Sequence, residues 1–215
     1  MSLKSLDNHP MLLARFPAVI LAGGAASRMG GGDKPLALLQ TKPILEWIID
    51  RLRSQISKLA ISANGDPTRF SGFPFPILPD HVPGLGPMAG ILAAIVWARQ
   101  VMPDATHVLT VPGDTPFLPL DLVDRLSASL PDHALPMSAA MSGDRLHPTA
   151  ALWPLAVQDS ISQKLRAGDG QRVLNWFDEL GGLSVQWSTV PYDPFFNVNS
   201  PNDKDEAERI ATLYV

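Results

Sequence analysis

Short apolar runs alternate with segments of helical periodicity through the first half of the chain. Four runs have the length and composition of buried strands, and each is followed by polar or glycine-bearing residues. These predicted strands cover residues 18–21, 59–63, 76–79 and 107–111. Because strands that alternate with helices form right-handed βαβ units, the pattern predicts strands that run parallel in one sheet.

The helical segments lie between these runs. Helices are predicted at residues 44–52, where Pro43 is suited to begin the helix, at 87–99 and at 120–130. The last third is less regular. There the pattern predicts strands at 134–140 and 149–153 joined by a connector at 143–148, helices at 155–166 and 173–180, a strand at 183–190 and a closing helix from about residue 202, capped by Ser200 or Asn202.

This order of elements predicts an α/β fold with a single doubly wound, mostly parallel sheet flanked by helices. We assign residues 18–215 to one domain and set residues 1–17 aside as an N-terminal leader, expected to be flexible. In a doubly wound sheet, ligands bind outside the carboxyl ends of the strands. The residues that follow the four strands, Gly23, Asn64, Asp80 and Asp114, should therefore converge on one pocket.

The segment after the first strand has the composition of a phosphate-binding loop. Residues 21–34 contain five glycines together with Arg28 and Lys34. Glycine lets backbone N–H groups approach an anion, and the two cations match the charge of a triphosphate. Neither G-x-x-x-x-G-K-[ST] nor G-x-G-x-x-G can be read in this loop, so it is not a Walker or Rossmann loop of the usual kind.

Composition narrows the functional classes. The chain has 215 residues, a formal net charge of -4 and no cysteine, which excludes disulfides, thiolate catalysis and cysteine-based metal sites. Nothing points to nucleic acid as a partner, since no global basic field is present. The longest apolar run, residues 90–98, is about half the ~20 residues of a membrane span, so we expect no membrane partner. The lack of cysteine is compatible with a reducing cytoplasm, and we expect a cytoplasmic protein.

Three motifs identify a family. Residues 21–34 match L-A-G-G-x-x-x-R-M-G-x-x-D-K, residues 86–90 match G-P-x-A-G, and residues 196–201 read F-N-V-N-S-P. The chain thereby resembles, over about residues 18–210, the nucleotidyltransferases that activate sugars, cytidine-linked alcohols and molybdopterin, and most closely the molybdenum cofactor guanylyltransferases. The resemblance implies a Rossmann-like, glycosyltransferase-A-like fold.

The resemblance also implies an activity, which is the Mg²⁺-dependent transfer of GMP from GTP to molybdopterin cofactor with release of pyrophosphate. Molybdoenzyme maturation proteins are implied as further partners. Catalysis is assigned to Arg28, Lys34 and Asp114, with Asp114 as the Mg²⁺ ligand. The nucleotide is assigned to Leu21, Ala22, Gly23, Lys34, Asn64, Asp80 and Asp114. The acceptor is assigned to Arg28, Gly31, Gly86, Gly90, Arg172, Asn197 and Asn199.

Other interpretations of single residues stay open at this stage. Asp114 would also suit a turn cap, and Asn64 and Asp80 would suit Asx turns. His147, which matches a family position on the acceptor side, is more often structural than a base, and an arginine at a helix start such as Arg172 is usually a surface residue. The five tryptophans are expected to pack, although any of them could stack on a pterin.

Other functions stay open as well. A molybdopterin cytidylyltransferase or a sugar-phosphate nucleotidyltransferase would share the fold and the phosphate-binding residues. A catalytically silent nucleotide-binding regulator is the alternative outside enzymes, although the intact Arg28, Lys34 and Asp114 argue against it. Because these three residues address phosphate and metal, they do not distinguish guanine from cytosine.

Overall fold

The computed structural model describes residues 16–23, 33–80, 86–131, 136–168 and 172–214. Its strands are β1 (Ala18–Leu21), β2 (Leu38–Leu39), β3 (Lys42–Pro43), β4 (Leu59–Ser62), β5 (Ile77–Leu78), β6 (His107–Pro112), β7 (Ser138–Ser142), β8 (Arg145–Pro154) and β9 (Leu183–Trp187). Its helices are α1 (Ile44–Leu52), α2 (Pro87–Val101), α3 (Leu122–Ala128), α4 (Gln158–Arg166), α5 (Val173–Glu179) and α6 (Pro201–Tyr214). Short 3₁₀ helices cover Lys34–Leu36, Pro67–Phe70 and Leu155–Val157.

A seven-stranded sheet in the order β5-β4-β1-β6-β8-β7-β9 forms the centre of the molecule. Strands β5, β4, β1 and β6 pair in parallel, and β9 pairs in parallel with β7. Strand β8 alone runs against its two neighbours, β6 and β7. The mostly parallel sheet predicted from the alternation of strands and helices is confirmed.

Helices cover both faces of this sheet. On one face α2 packs against β1, β4 and β6 and is itself covered by α4, which explains why α2 is apolar around most of its circumference. The other face carries α1, α3 and α6, whose buried residues form the second part of the core. Phe16, just before β1, is also buried, and its ring meets that of His107 edge to face.

The region around the predicted connector at 143–148 is different from our expectation. Residues 145–148 belong to β8, and only Gly143 and Asp144 turn the chain between β7 and β8. Polar letters such as Arg145 and His147 suggested a loop, but His147 is buried within the strand and hydrogen bonded. Other bounds also differ from the predicted ones: β7 covers 138–142, β9 ends at Trp187 and α3 covers 122–128. Residues 134 and 135 lie outside the described part.

A bulge interrupts the pairing of β7 with β8. Consecutive residues Ala139 and Ala140 pair with Ala151 and His147, so residues 148–150 bulge from the ladder. The Thr110 hydroxyl on β6 donates a hydrogen bond of 2.9 Å to the backbone carbonyl of Thr149. The bulge is therefore held at its centre by the neighbouring strand.

Among the described residues, no helix combines the length and the apolar character that a membrane crossing requires. The proposed boundary between a leader and the domain at residue 17 stays a prediction, because residues 1–15 lie outside the described part.

Candidate active site

A cleft of about 280 Å³ opens at the carboxyl ends of the parallel strands. This is the position that the doubly wound sheet predicts for a ligand. The residues that line it come from the ends of β1, β4 and β6, from the start of α2 and from two later segments. They are Leu21, Ala22, Gly23, Lys34, Pro35, Ser62, Asp80, Gly86, Pro87, Gly90, Pro112, Gly113, Asp114, Thr149 and Asn197.

Asp114 lies just past the end of β6 and is fixed by the segment that precedes α6. Its backbone carbonyl accepts a hydrogen bond of 2.8 Å from the Val198 N–H, and its Oδ1 accepts one of 2.8 Å from the Asn197 Nδ2. Asn197 also donates to the Thr115 hydroxyl, at 3.1 Å. The Asp114 carboxylate is thus oriented from outside its own turn, which is more than a turn cap requires.

The donor set around Asp114 suits a magnesium ion. Among the described residues, hydrogen bonds to the Asp114 carboxylate reach only Oδ1, so Oδ2 is available to a cation. The same residues contain no group of three or more histidine or acidic side chains that would form an all-protein metal cage. Mg²⁺ usually takes one or two carboxylates together with substrate phosphates and water. A single oriented aspartate in an open cleft fits that habit.

Lys34 also lines the cleft. It begins the 3₁₀ helix Lys34–Leu36, and its Nζ donates a hydrogen bond of 2.7 Å to the Asn199 Oδ1. The Asn199 backbone N–H in turn donates to the Asp203 carboxylate at 3.0 Å, in the first turn of α6. Asn199 lies behind the cleft lining, where it holds the ammonium group of Lys34.

Asn64 and Asp80 form a pair across two neighbouring strand ends. The Asn64 Nδ2 donates to the Asp80 Oδ2 at 2.6 Å, and the Asp80 backbone N–H donates to the Asn64 Oδ1 at 2.9 Å. Neither side chain closes an Asx turn of its own in these contacts. Asp80 lines the cleft, and among the described residues its Oδ1 has no hydrogen-bond donor, whereas Asn64 lies one step behind it.

Two glycines allow the walls of the cleft to approach each other. A Cβ at Gly90 would come within 2.9 Å of the Ser62 Oγ and 3.2 Å of the Leu21 Cδ2, so this glycine lets α2 lie against β1 and β4. A Cβ at Gly113 would come within 3.0 Å of the Leu21 carbonyl oxygen and 3.1 Å of the Pro35 Cγ. A methyl group at either position would make neighbouring atoms shift, side-chain atoms at Gly90 and partly backbone atoms at Gly113, so glycine favours close packing beside the cleft.

Two lining residues were not among the predicted site residues. Ser62 is the last residue of β4 and is almost fully buried beside Gly90. Thr149 enters the cleft through the bulge in β8. The alternation of β4 could have pointed to Ser62, but a bulge depends on pairing between strands, which one sequence does not reveal.

His147 is part of the packing beneath this region. Its ring stacks on Phe195 with 4.8 Å between centroids, and its Nε2 lies 2.8 Å from the Ser142 Oγ. Burial lowers the pKa of His147 to about 4, an effect that Asp193 opposes and Arg145 reinforces. His147 is therefore neutral near pH 7 and supports the segment that carries Asn197, which favours the structural interpretation over a base.

Three further predicted site residues are not part of the described cleft lining. Arg172 is exposed at the start of α5 and does not line the cleft. Arg28 and Gly31 lie outside the described residues. All five tryptophans are buried, which leaves packing as their role and none of them free to stack on a pterin; they are Trp47, Trp97, Trp153, Trp176 and Trp187.

Comparison with known proteins adds a family to this geometry. Residues 18–181 match the model of the MobA-like NTP transferase domain. A molybdenum cofactor guanylyltransferase of Rhodopseudomonas palustris (strain BisB5) is 47% identical over 207 residues, which is 96% of this chain and 97% of that protein. Another from Mesorhizobium japonicum is 46% identical over 196 residues, covering 89% of this chain and 94% of that protein.

Solved structures share the fold at lower identity. The molybdopterin-guanine dinucleotide biosynthesis protein A of Archaeoglobus fulgidus aligns with a TM-score of 0.67 and 20% identity, over 92% of this chain and 99% of that one. The CMP:2-keto-3-deoxy-manno-octonic acid synthetase complexed with CTP aligns with a TM-score of 0.69 and 13% identity, over 93% and 99% of the two chains. At such identities the likeness concerns the fold alone.

Proposed function

Because this chain belongs to the molybdenum cofactor guanylyltransferase family and is a nucleotidyltransferase, we propose that it transfers GMP from GTP to molybdopterin cofactor. The products are molybdopterin guanine dinucleotide and pyrophosphate, and molybdoenzyme maturation proteins are the proposed recipients of the dinucleotide. The observation that carries the proposal is the cleft itself, in which Lys34, Asp80 and Asp114 converge at the carboxyl ends of parallel strands.

The reaction requires positioning more than proton transfer. A phosphate oxygen of the acceptor attacks the α-phosphorus of GTP, the new P–O bond forms, and the bond to the bridging oxygen breaks so that pyrophosphate leaves with its electron pair. An ionised phosphate is already a nucleophile, so no general base is needed. The neutral, buried His147 is consistent with this chemistry.

Lys34 and Asp114 are proposed to stabilise the charge that develops on the leaving pyrophosphate. Lys34 supplies a cation that Asn199 holds in place, and Arg28 is proposed to supply a second one. The Asp114 carboxylate would hold Mg²⁺, and the ion would supply positive charge close to the phosphates. Asn197 keeps that carboxylate in one orientation through the 2.8 Å hydrogen bond to Oδ1.

Asp80 is proposed to recognise the base of the nucleotide. Asn64 occupies its Oδ2, which leaves Oδ1 to accept from the N1–H and exocyclic amine of guanine. Cytosine lacks that pair of donors, and an acceptor that the bound base covers but leaves unpaired costs ~1–3 kcal/mol, or roughly a ten- to hundredfold preference. GTP is therefore the proposed donor nucleotide.

Pyrophosphate release tests the proposal and its alternatives. With Mg²⁺ and molybdopterin cofactor supplied, we expect release to be at least about tenfold faster from GTP than from CTP, ATP or UTP. The acceptor must be present, because hydrolysis of GTP alone is not the proposed reaction. A preference for CTP would replace the proposal with a cytidylyltransferase, and binding of GTP without turnover would indicate a regulator.

A further inference from the structure

Arg69 forms hydrogen bonds to two segments that carry or adjoin cleft residues, although its own side chain does not line the cleft. It lies in the 3₁₀ helix Pro67–Phe70, which follows β4. One terminal nitrogen of its guanidinium donates to the Asp33 carboxylate, and the other donates to the Asn64 backbone carbonyl at 2.6 Å. The guanidinium carbon lies 4.8 Å from the centroid of the Phe70 ring, so the side chain is held from three directions.

Both contacts connect directly to residues of the proposed nucleotide site. Asp33 is the residue before Lys34, at the carboxyl-terminal end of the glycine-rich segment. Asn64 is joined to Asp80 by two hydrogen bonds. The Arg69 guanidinium therefore connects Asp33, the residue before Lys34, to the Asn64–Asp80 pair, which is proposed to recognise the base.

The charge of Asp33 gives this link a second role. Its carboxylate immediately precedes Lys34, where a bound triphosphate would meet its negative charge. The Asp33 and Arg69 side chains are both about three-quarters buried, at 27% and 28% exposure, so their attraction is screened less than at an open surface. A planar guanidinium suits this task better than an ammonium group because it bonds two acceptors at once.

We infer that Arg69 is a positioning residue for the nucleotide, which neutralises Asp33 and fixes Lys34 and Asn64 relative to each other. Its terminal nitrogens are engaged with protein acceptors, so it acts through its neighbours and not by contact with substrate. The inference rests on the proposed function only in assuming that an anionic nucleotide binds in this cleft. It predicts that loss of Arg69 leaves an unpaired carboxylate beside the phosphates.

Nucleotide affinity, measured by calorimetry with Mg²⁺ and without acceptor, provides the test. We expect Arg69→Met to weaken GTP binding about tenfold and Arg69→Lys to weaken it less, since lysine keeps the charge but not the two-point contact. The double variant Asp33→Asn/Arg69→Met should bind more tightly than Arg69→Met, because the unpaired charge is gone. Arg53→Met is the matched control, since Arg53 forms a surface ion pair with Asp50 on α1.

Steady-state kinetics separate positioning from general damage to the fold. The variants should raise KM for GTP about tenfold while kcat changes less than about threefold. Affinity in Arg69→Met equal to that in Arg53→Met, or no recovery in the double variant, would overturn the inference. If the wild-type protein prefers another nucleotide, the same series with that nucleotide tests Arg69 independently of base choice. If Arg69→Met does not fold, Arg69→Lys decides, since unchanged affinity there refutes the two-point contact.

Discussion

Asp114 and Asp80 each keep one carboxylate oxygen without a hydrogen-bond donor among the described residues, but different segments orient the two side chains. Asp80 is joined to Asn64 by two hydrogen bonds, whereas Asp114 is held by Asn197 and the Val198 N–H from the segment before α6. Asp114→Asn would preserve the shape of the side chain and remove its charge. We expect turnover to fall by ~10²-fold or more, with a higher Mg²⁺ requirement and an unchanged fold.

The control for Asp114→Asn is Asp144→Asn, which changes an exposed aspartate in the turn between β7 and β8. Kinetics at limiting and saturating Mg²⁺, with circular dichroism for the fold, would distinguish the two variants. Near-normal turnover of folded Asp114→Asn at limiting Mg²⁺ would remove Asp114 from the metal site.

His147 makes stability depend on pH in a defined window. Its pKa is lowered from 6.5 to about 4 in the folded protein, chiefly by burial, so the unfolded chain binds more protons between these values. The contribution of His147 to the free energy of unfolding is therefore fully present above about pH 6.5. It decreases as the pH falls towards 4, by no more than about 3 kcal/mol. Burial also lowers the pKa of His107, which adds in the same direction.

Urea unfolding at pH 7.0, 6.0, 5.0 and 4.5 would measure this dependence. His147→Gln should show a smaller loss of stability between pH 7.0 and 4.5 than the wild type. The pH dependence that remains in this variant is expected to come from His107. Identical pH profiles for the two proteins would mean that His147 is protonated as readily in the folded state as in the unfolded chain.

At the level of helices and strands, Gly90 sets the distance between α2 and the sheet. Gly90→Ala brings a methyl group within 2.9 Å of the Ser62 Oγ, a clash of the overpacking kind that costs ~1–3 kcal/mol. Alanine also returns up to ~1 kcal/mol of helix propensity. We expect a net loss of ~0.5–2 kcal/mol in urea unfolding.

The background Ser62→Ala provides the control for Gly90→Ala. With the hydroxyl removed, the same alanine should be neutral or stabilising, because the propensity term remains while most of the clash is gone. Equal effects of Gly90→Ala in both backgrounds would show that Ser62 does not limit the approach of α2.

These elements also show how far one sequence predicts the fold. The strands β1, β4 and β6 and the helices α1 and α2 were predicted within a few residues, because their apolar patterns are set by burial against the sheet. The strand through His147 was missed because a buried, hydrogen-bonded histidine looks polar in the sequence. The hairpin β2–β3 was also missed, since each of its strands is only two residues long.

The candidate site was predictable to a similar degree. Motif positions indicated Lys34, Asp80 and Asp114, and the cleft brings these three together. Contacts between distant segments were not predictable, such as the Lys34–Asn199 and Arg69–Asp33 pairs, because they depend on which loops the sheet order makes neighbours.

For the molecule as a whole, the proposed nucleotide would bind against a formal net charge of -4. Long-range attraction would therefore contribute little, and cations at the cleft such as Lys34 would have to supply affinity at short range. The proposed nucleotide is a small ligand of the kind that a cleft can hold through such short-range contacts.

The reversed direction of β8 has a consequence for how such a cleft can diversify. The parallel strands contribute cleft residues at the points where they end, but β8 contributes Thr149 from the bulge midway along the strand, five residues after the turn at Gly143 and Asp144. Extra residues inserted in that turn would lengthen a two-stranded flap beyond the edge of the sheet without moving β1, β4 or β6. One wall of the cleft is thus open to change in length and chemistry, while the wall that carries Lys34, Asp80 and Asp114 is tied to the strands beneath it.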